Sequence, residues 1–258
     1  MIRLMLSIAA FLAAAAPNAD ASSTSDIWRR RSAGLVAAWD WSGGRTTTPT
    51  GHAGTLVGDA VISAGTRYLS LDGNDHMSVP DAAEFSFTDG SGTDRPFSAG
   101  GWVYLNSNAT SNKGIILKGT GSPIAVEWAI KCANGPPNDP SFILYHANVS
   151  QYIGRRTGTP LATGQWIHVF GTYSGNESPT GIKVYINGVR ADTTDLNTGS
   201  YTGMSNTAAL LRVGGIDTGE HINGRIGTTP IFNYALTDAE VARLYNQGAA
   251  RMAAGGTP

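Results

Sequence analysis

Short strand-like runs, largely of apolar and aromatic residues, recur along the chain from Leu35 to Phe232. Glycine, proline and asparagine separate them, and the clearest runs are Phe97–Leu105, Trp166–Tyr173 and Ile182–Asn187. Short apolar runs bounded by turn residues are typical of buried β-strands. Many short strands divided by turn residues predict an all-β fold, an antiparallel two-sheet sandwich of the jelly-roll kind.

Two hairpins are predicted between these strands. Asn187-Gly188 separates two strand-like runs and favours a tight turn, because both residues tolerate positive φ. Phe142–Ala147 and Gln151–Arg156 are two strand-like runs separated by a short turn segment, and they predict a second hairpin.

One helical pattern follows the strands. Thr237 and Glu240 have the spacing of a capping box, and apolar residues recur at helical spacing after them. The pattern predicts one short C-terminal helix over 238–246, which Gly248 can end.

The first residues have the three parts of an export signal. Arg3 precedes an apolar stretch over 4–16, and Ala19-Asp20-Ala21 supplies small residues at a cleavage position. We expect a mature chain that begins at or near Ser22 and has no membrane span after cleavage. The predicted segments are a signal peptide over 1–21, a linker over 22–33, one domain over 34–247 and a flexible tail over 248–258.

Charge and cysteine content exclude several classes of function. The 258 residues carry a net charge of −1, and only 14% of them are charged, so no strongly basic surface predicts nucleic-acid binding. Cys132 is the only cysteine, which excludes an intramolecular disulfide and a zinc site of the cysteine type.

Four sequence phrases resemble those of laminin-G-like domains in the concanavalin A-like lectin and glucanase superfamily. They are "LDGNDHMSV" at 71–79, "WIHV" at 166–169, "VYINGV" at 184–189 and "FNYALTDAEVARLY" at 232–245. The resemblance covers about residues 34–247 and implies a jelly roll. It does not select a function, because the superfamily includes lectins, adhesion modules, enzyme-appended modules and virion proteins.

Calcium is the metal that the sequence suits best. Asp72, Asn74 and Asp75 offer several oxygen atoms within one turn, which is the ligand type that Ca²⁺ prefers. Asx residues also stabilise turns without a metal, so a metal site and a metal-free turn both stay open. The resemblance implies a further acidic pair after the last "G-x-I", but 224–230 contains no carboxylate here.

The middle of the chain has the residue types that bind sugars, namely aromatic faces and polar groups that replace water. Alternation places Phe142, Leu144 and His146 on one face of a strand and Ile143 and Tyr145 on the other. The predicted ligand-binding residues are Trp128, Tyr145, His146, Asn148, Tyr152 and Arg155, with Trp128 equally compatible with the core.

A catalytic site is less well supported by the residues. Glycosidases of this fold need two neighbouring carboxylates, but Glu127 is followed by alanine at 129 and lysine at 131. A lyase could use His146 with Tyr145 or Tyr152 as base and acid, although nothing in the sequence marks such a pair.

The sequence therefore predicts an exported, non-catalytic module that binds a glycan or a surface polysaccharide, secreted or held at the cell surface. A structural or adhesion protein of a virion or cell surface, with protein neighbours as partners, is the alternative. A polysaccharide-degrading enzyme is the third hypothesis. Ca²⁺ is the only cofactor expected.

Overall fold

The computed structural model describes residues 34–63, 65–89, 91–107, 113–121, 124–133, 139–146, 149–216, 219–254 and 256–258. The predicted signal peptide over 1–21, the linker over 22–33 and Asn148 lie outside the described residues. Within them, no helix is long and apolar enough to cross a membrane.

The first of two sheets contains eight strands, and every pairing in it is antiparallel. Its main path runs β1-β16-β5-β10-β11-β12, and β15 joins β3 to β5. The strands are β1 Leu35–Trp39, β3 Leu69–Asp72, β5 Phe97–Leu105, β10 Trp166–Tyr173, β11 Ile182–Ile186, β12 Val189–Arg190, β15 Asn223–Ile226 and β16 Thr229–Phe232.

The second sheet also has eight antiparallel strands, in the order β13-β9-β8-β7-β6-β14-β4-β2. The strands are β2 Thr55–Val57, β4 His76–Val79, β6 Lys113–Gly121, β7 Ile124–Ala133, β8 Ser141–His146, β9 Gln151–Arg156, β13 Thr194–Thr198 and β14 Leu211–Val213. The predicted all-β sandwich and its antiparallel sheets are confirmed.

The main core lies between the facing sides of the two sheets. Val103 and Val169 reach it from the first sheet, and Ile130, Phe142 and Leu144 reach it from the second. All five are buried, as the alternation predicts for the inward face of each strand.

Helix α1, Asp238–Ala253, covers part of the outer face of the first sheet. Thr237 and Glu240 form the predicted capping box. The predicted end of the helix is wrong, because α1 passes through Gly248 and includes the first residues of the segment predicted as a flexible tail. Gly248 packs on the indole of Trp102, where a Cβ atom would lie 2.5 Å from Nε1.

Both predicted hairpins form. Ile186 pairs with Val189 across Asn187 and Gly188, whose φ angles are 51° and 78°. Strands β8 and β9 pair from Ser141 to His146 along the second sheet. The turn at 72–75 has a different role, since it carries the chain from β3 in the first sheet to β4 in the second.

Candidate functional site

A second apolar cluster lies on the outer face of the second sheet, away from the core. Leu117, Ala129 and Ile143 are neighbours across β6, β7 and β8, and Tyr145 and Ile216 pack with them. Ile216 comes from the loop after β14, which folds back over the sheet. The outer face of this sheet is thus partly covered by a loop rather than by a helix.

A groove of about 240 Å³ opens beside this cluster. Tyr145 and Lys131 form part of its lining from the sheet, Ile124 and Val149 from strand ends and turns, and Glu220 from the covering loop. Val149 has a φ of 64°, which strains a β-branched residue. Such strain is concentrated at functional sites, where the surrounding structure maintains it.

An ion pair connects the sheet to the loop inside the groove. Lys131 Nζ lies 3.0 Å from a Glu220 carboxylate oxygen and 5.9 Å from the centre of the Tyr145 ring. Burial alone would lower the pKa of Lys131, but Tyr145 and Glu220 outweigh it and raise that pKa. Burial also raises the pKa of Tyr145, so its hydroxyl stays protonated and can donate a hydrogen bond.

Two of the predicted ligand-binding residues meet on this face. Tyr145 and Tyr152 are directly opposite each other on β8 and β9, and their rings contact edge to face at 5.8 Å. Tyr145 is buried at 8% exposure and lines the groove, whereas Tyr152 is half-buried and lies next to Tyr145, outside the lining. The alternation correctly placed Tyr145 and Leu144 on opposite faces of β8.

Trp128 and His146 lie elsewhere. Trp128 has no exposed surface and donates a hydrogen bond from Nε1 to the Phe85 carbonyl, so its assignment to the ligand-binding set is wrong. His146 points to the opposite side of β8 from Tyr145. Its Nδ1 lies 2.8 Å from the Gly203 carbonyl and its Nε2 3.3 Å from the Thr202 hydroxyl, so both ring nitrogens are engaged within the protein.

Arg155 also lies apart from the groove. It is opposite Phe142 in register, on the core-facing side of β9. Its Nε is 2.9 Å from an Asp192 carboxylate oxygen and 3.2 Å from one of Asp195. Nearby arginines and a backbone amide lower the pKa of Asp192 against the effect of burial, which is the pattern of a structural ion pair.

Glu127, the acid that a glycosidase would need, is fully buried. It accepts hydrogen bonds from Lys118 at 3.2 Å and from the Thr207 amide at 2.7 Å. Asp81 approaches the same Lys118 ammonium at 2.8 Å. The two carboxylates therefore flank a cation instead of an open cleft where a substrate could bind.

Three carboxylates converge at the turn predicted for calcium. Asp72 and Asp75 are joined there by Asp59, and one oxygen atom of each lies within 4.8 Å of the others. Asp75 accepts a hydrogen bond from the Asp72 amide, and Asp72 accepts one from the Asn74 amide. Burial, with further repulsion from Asp72 and Asp59, raises the pKa of Asp75.

Sequence reasoning missed the polar half of the groove. Lys131 was visible as an outward position on β7, but Glu220 is 89 residues further along the chain and carries no local signal of its role. Ile216 likewise reaches the sheet only because the loop after β14 folds back.

A family profile described as the concanavalin A-like lectin/glucanases superfamily matches residues 60–242. This chain belongs to that superfamily. A search of curated proteins found no significant match.

Among solved structures, the chain is similar to domain 4 of AbnA, an extracellular GH43 arabinanase from Geobacillus stearothermophilus, solved in complex with arabinotriose. The TM-score is 0.61 at 21% identity, covering 82% of this chain and 98% of that domain. It is also similar to the binding domain of botulinum neurotoxin DC in complex with SialylT, with TM-score 0.60, 15% identity and coverage of 83% and 51%.

A third similar structure is that of botulinum neurotoxin type C, whose cell entry depends on two ganglioside molecules. The TM-score is 0.58 at 16% identity, with coverage of 83% and 51%. The chain spans about half the length of these toxin domains. At these identities the likeness concerns the fold.

Proposed function

We propose that this protein is a non-catalytic carbohydrate-binding module and that the groove beside Tyr145 and Tyr152 is its saccharide site. The observation that carries the proposal is the groove itself, which combines the Tyr145 ring, apolar walls and a Lys131–Glu220 ion pair, with the Tyr152 ring in edge contact with Tyr145. Sugar rings stack their apolar faces on aromatic residues, and their hydroxyls need donors and acceptors that replace water.

Two of the structures with this fold support the proposal, because one was solved with arabinotriose and another belongs to a toxin that depends on gangliosides. The predicted export signal and the extracellular origin of the arabinanase domain support a role outside the cell. The enclosure of Glu127 beside Lys118 supports binding without catalysis, because a buried, paired acid has no access to a glycosidic bond.

Titration calorimetry with arabinotriose, followed by the tightest binder of a glycan array, tests the proposal. Tyr152→Ala is the informative variant, because Tyr152 is accessible and can be removed without opening the core. Loss of one stacking contact of about 0.5–1.5 kcal/mol predicts an affinity about 2- to 10-fold weaker.

Tyr145→Phe removes only the hydroxyl of the buried ring and should weaken binding with little change in melting temperature. Tyr234→Ala, on the helix-covered side of the first sheet, is the matched control and should leave affinity unchanged. Affinities equal to that of the wild type for both Tyr152→Ala and Tyr145→Phe would show that the ligand does not occupy this groove.

We also propose that Asp59, Asp72 and Asp75 hold a Ca²⁺ ion. Their donor set fits calcium, since a hard cation takes several carboxylate oxygens. Burial is the main cause of the raised pKa of Asp75, and repulsion from Asp72 and Asp59 adds to it; a bound cation would relieve that repulsion. The ion would stabilise the link between β3 and β4, and so between the two sheets.

A further inference from the structure

A second cluster of accessible aromatic residues lies on the outer face of the first sheet. Ser70, Arg225, Tyr104 and Trp166 stand in one row across the neighbouring strands β3, β15, β5 and β10. Tyr68 packs beside this row, and the centres of the Tyr68 and Trp166 rings are 5.9 Å apart. Tyr68, Tyr104, Trp166 and Arg225, named here the aromatic platform, are all half-buried.

The side chains of the platform contact one another. The Arg225 guanidinium lies over both tyrosine rings, 4.8 Å from the centre of Tyr104 and 5.2 Å from that of Tyr68. Trp166 contacts Tyr104 at 5.7 Å. Such cation–π contacts fix the orientation of a guanidinium without neutralising its charge.

Arg225 retains its charge and its hydrogen-bond donors. Within the described ranges it forms no ion pair with a carboxylate, and its neighbours in register, Ser70 and Tyr104, are uncharged. The N–H groups of a guanidinium lie in its plane, so stacking on its faces leaves them available. A guanidinium with a fixed orientation can bind a planar carboxylate through two parallel hydrogen bonds.

We propose that the aromatic platform is a second binding site, separate from the groove, and that it takes an acidic saccharide. Trp166 provides an aromatic surface for the apolar side of a sugar ring, while Tyr68 and Tyr104 hold Arg225 in place. Arg225 binds the carboxylate of a uronic acid residue. The protein as a whole has a net charge of −1, so attraction to an acidic sugar has to come from such a local group.

Calorimetry with trigalacturonic acid and with its fully methyl-esterified form tests this site, because the two probes share one sugar backbone and only the first carries carboxylates. We expect the wild type to bind the acid at least about tenfold more tightly than the ester, and increasingly so at low salt. Arg225→Gln should abolish this preference, while Trp166→Ala should weaken binding of both probes by about 2- to 10-fold.

Two controls distinguish binding at the platform from a general charge effect and from binding in the groove. Arg243→Gln removes one exposed positive charge on α1, far from the platform in the chain, and should leave the preference intact. Tyr152→Ala should not change the affinity for the acidic probe. The proposal for the groove and the proposal for the platform can therefore fail independently of each other. Equal affinities for acid and ester, no measurable binding of the acid, or tighter binding of a sulfated trisaccharide would overturn the proposal.

Discussion

His168 should make the stability of the fold depend on pH. The side chain lies on β10 beneath helix α1, with 2% of its surface exposed. Its ring stacks on Phe170 at 5.4 Å and contacts Trp102 at 5.2 Å and Tyr245 at 6.2 Å. Its Nδ1 is buried with no hydrogen-bond partner in the described part of the chain. Burial lowers the pKa of His168 to about 3.

The sign of the effect follows from where the proton binds. Below about pH 6.5 the unfolded chain takes up a proton at this residue, whereas the folded chain does so only near its lowered pKa. The contribution to stability is therefore complete above that unfolded pKa and is lost as the pH falls. Each pH unit in this window costs about 1.4 kcal/mol, so lowering the pH from about 7 to about 4 should cost about 3 kcal/mol.

Urea unfolding of the wild type and His168→Phe, followed by tryptophan fluorescence at several pH values, measures this effect. Phenylalanine keeps a ring of similar shape and removes the titration. His76 and His221, whose pKa values are also lowered by burial, remain in both proteins and cancel in the difference. The difference in unfolding free energy should grow by about 3 kcal/mol toward low pH.

The control for packing is Phe170→Leu, which removes a ring contact of His168 without removing its titration. It should lower stability by a similar amount at pH 7 and at pH 5, because its main effect is on packing. If the unfolding free energies of the wild type and His168→Phe changed with pH by the same amount, the reasoning would be refuted.

The remaining predictions concern helix α1 and the turn at Asp72–Asp75 that is proposed to bind calcium. Gly248→Ala should lower the melting temperature although alanine favours helices, because its Cβ would meet the Trp102 indole, while Asn246→Ala at an exposed helix position should raise it slightly. Millimolar Ca²⁺ should raise the melting temperature of the wild type relative to chelator, and Asp75→Asn should lose this shift. Equal melting temperatures for the wild type in the two buffers would remove the calcium proposal.

Features encoded by neighbouring residues were predictable from the sequence. Asn187 and Gly188 form the expected hairpin because the two residues alone satisfy the turn's demand for positive φ. Thr237 and Glu240 cap α1 because the capping box needs only a spacing of three. The placement of Leu144 and Tyr145 on opposite faces of β8 followed from alternation along a single strand.

Features that depend on distant contacts were not predictable in this way. Gly248 is a typical helix terminator, yet the helix continues because this glycine fits against Trp102, which lies far earlier in the chain. The turn at Asp72–Asp75 has the local chemistry of a hairpin, but its two strands pair with β15 and β14 in different sheets. No local pattern specifies which strand will be the partner.

The candidate sites show why both faces of a strand have to be considered together. In β8, residues on both faces are apolar, so alternation separates Leu144 from Tyr145 without showing which face is the core. In the structure, the segments that cover the outer face of each sheet determine where a site can form. Helix α1 covers part of the first sheet and leaves the platform around Arg225 open, while the loop carrying Glu220 turns the second sheet into a groove. Both coverings come from the last third of the chain, so the central strands alone could not locate the sites.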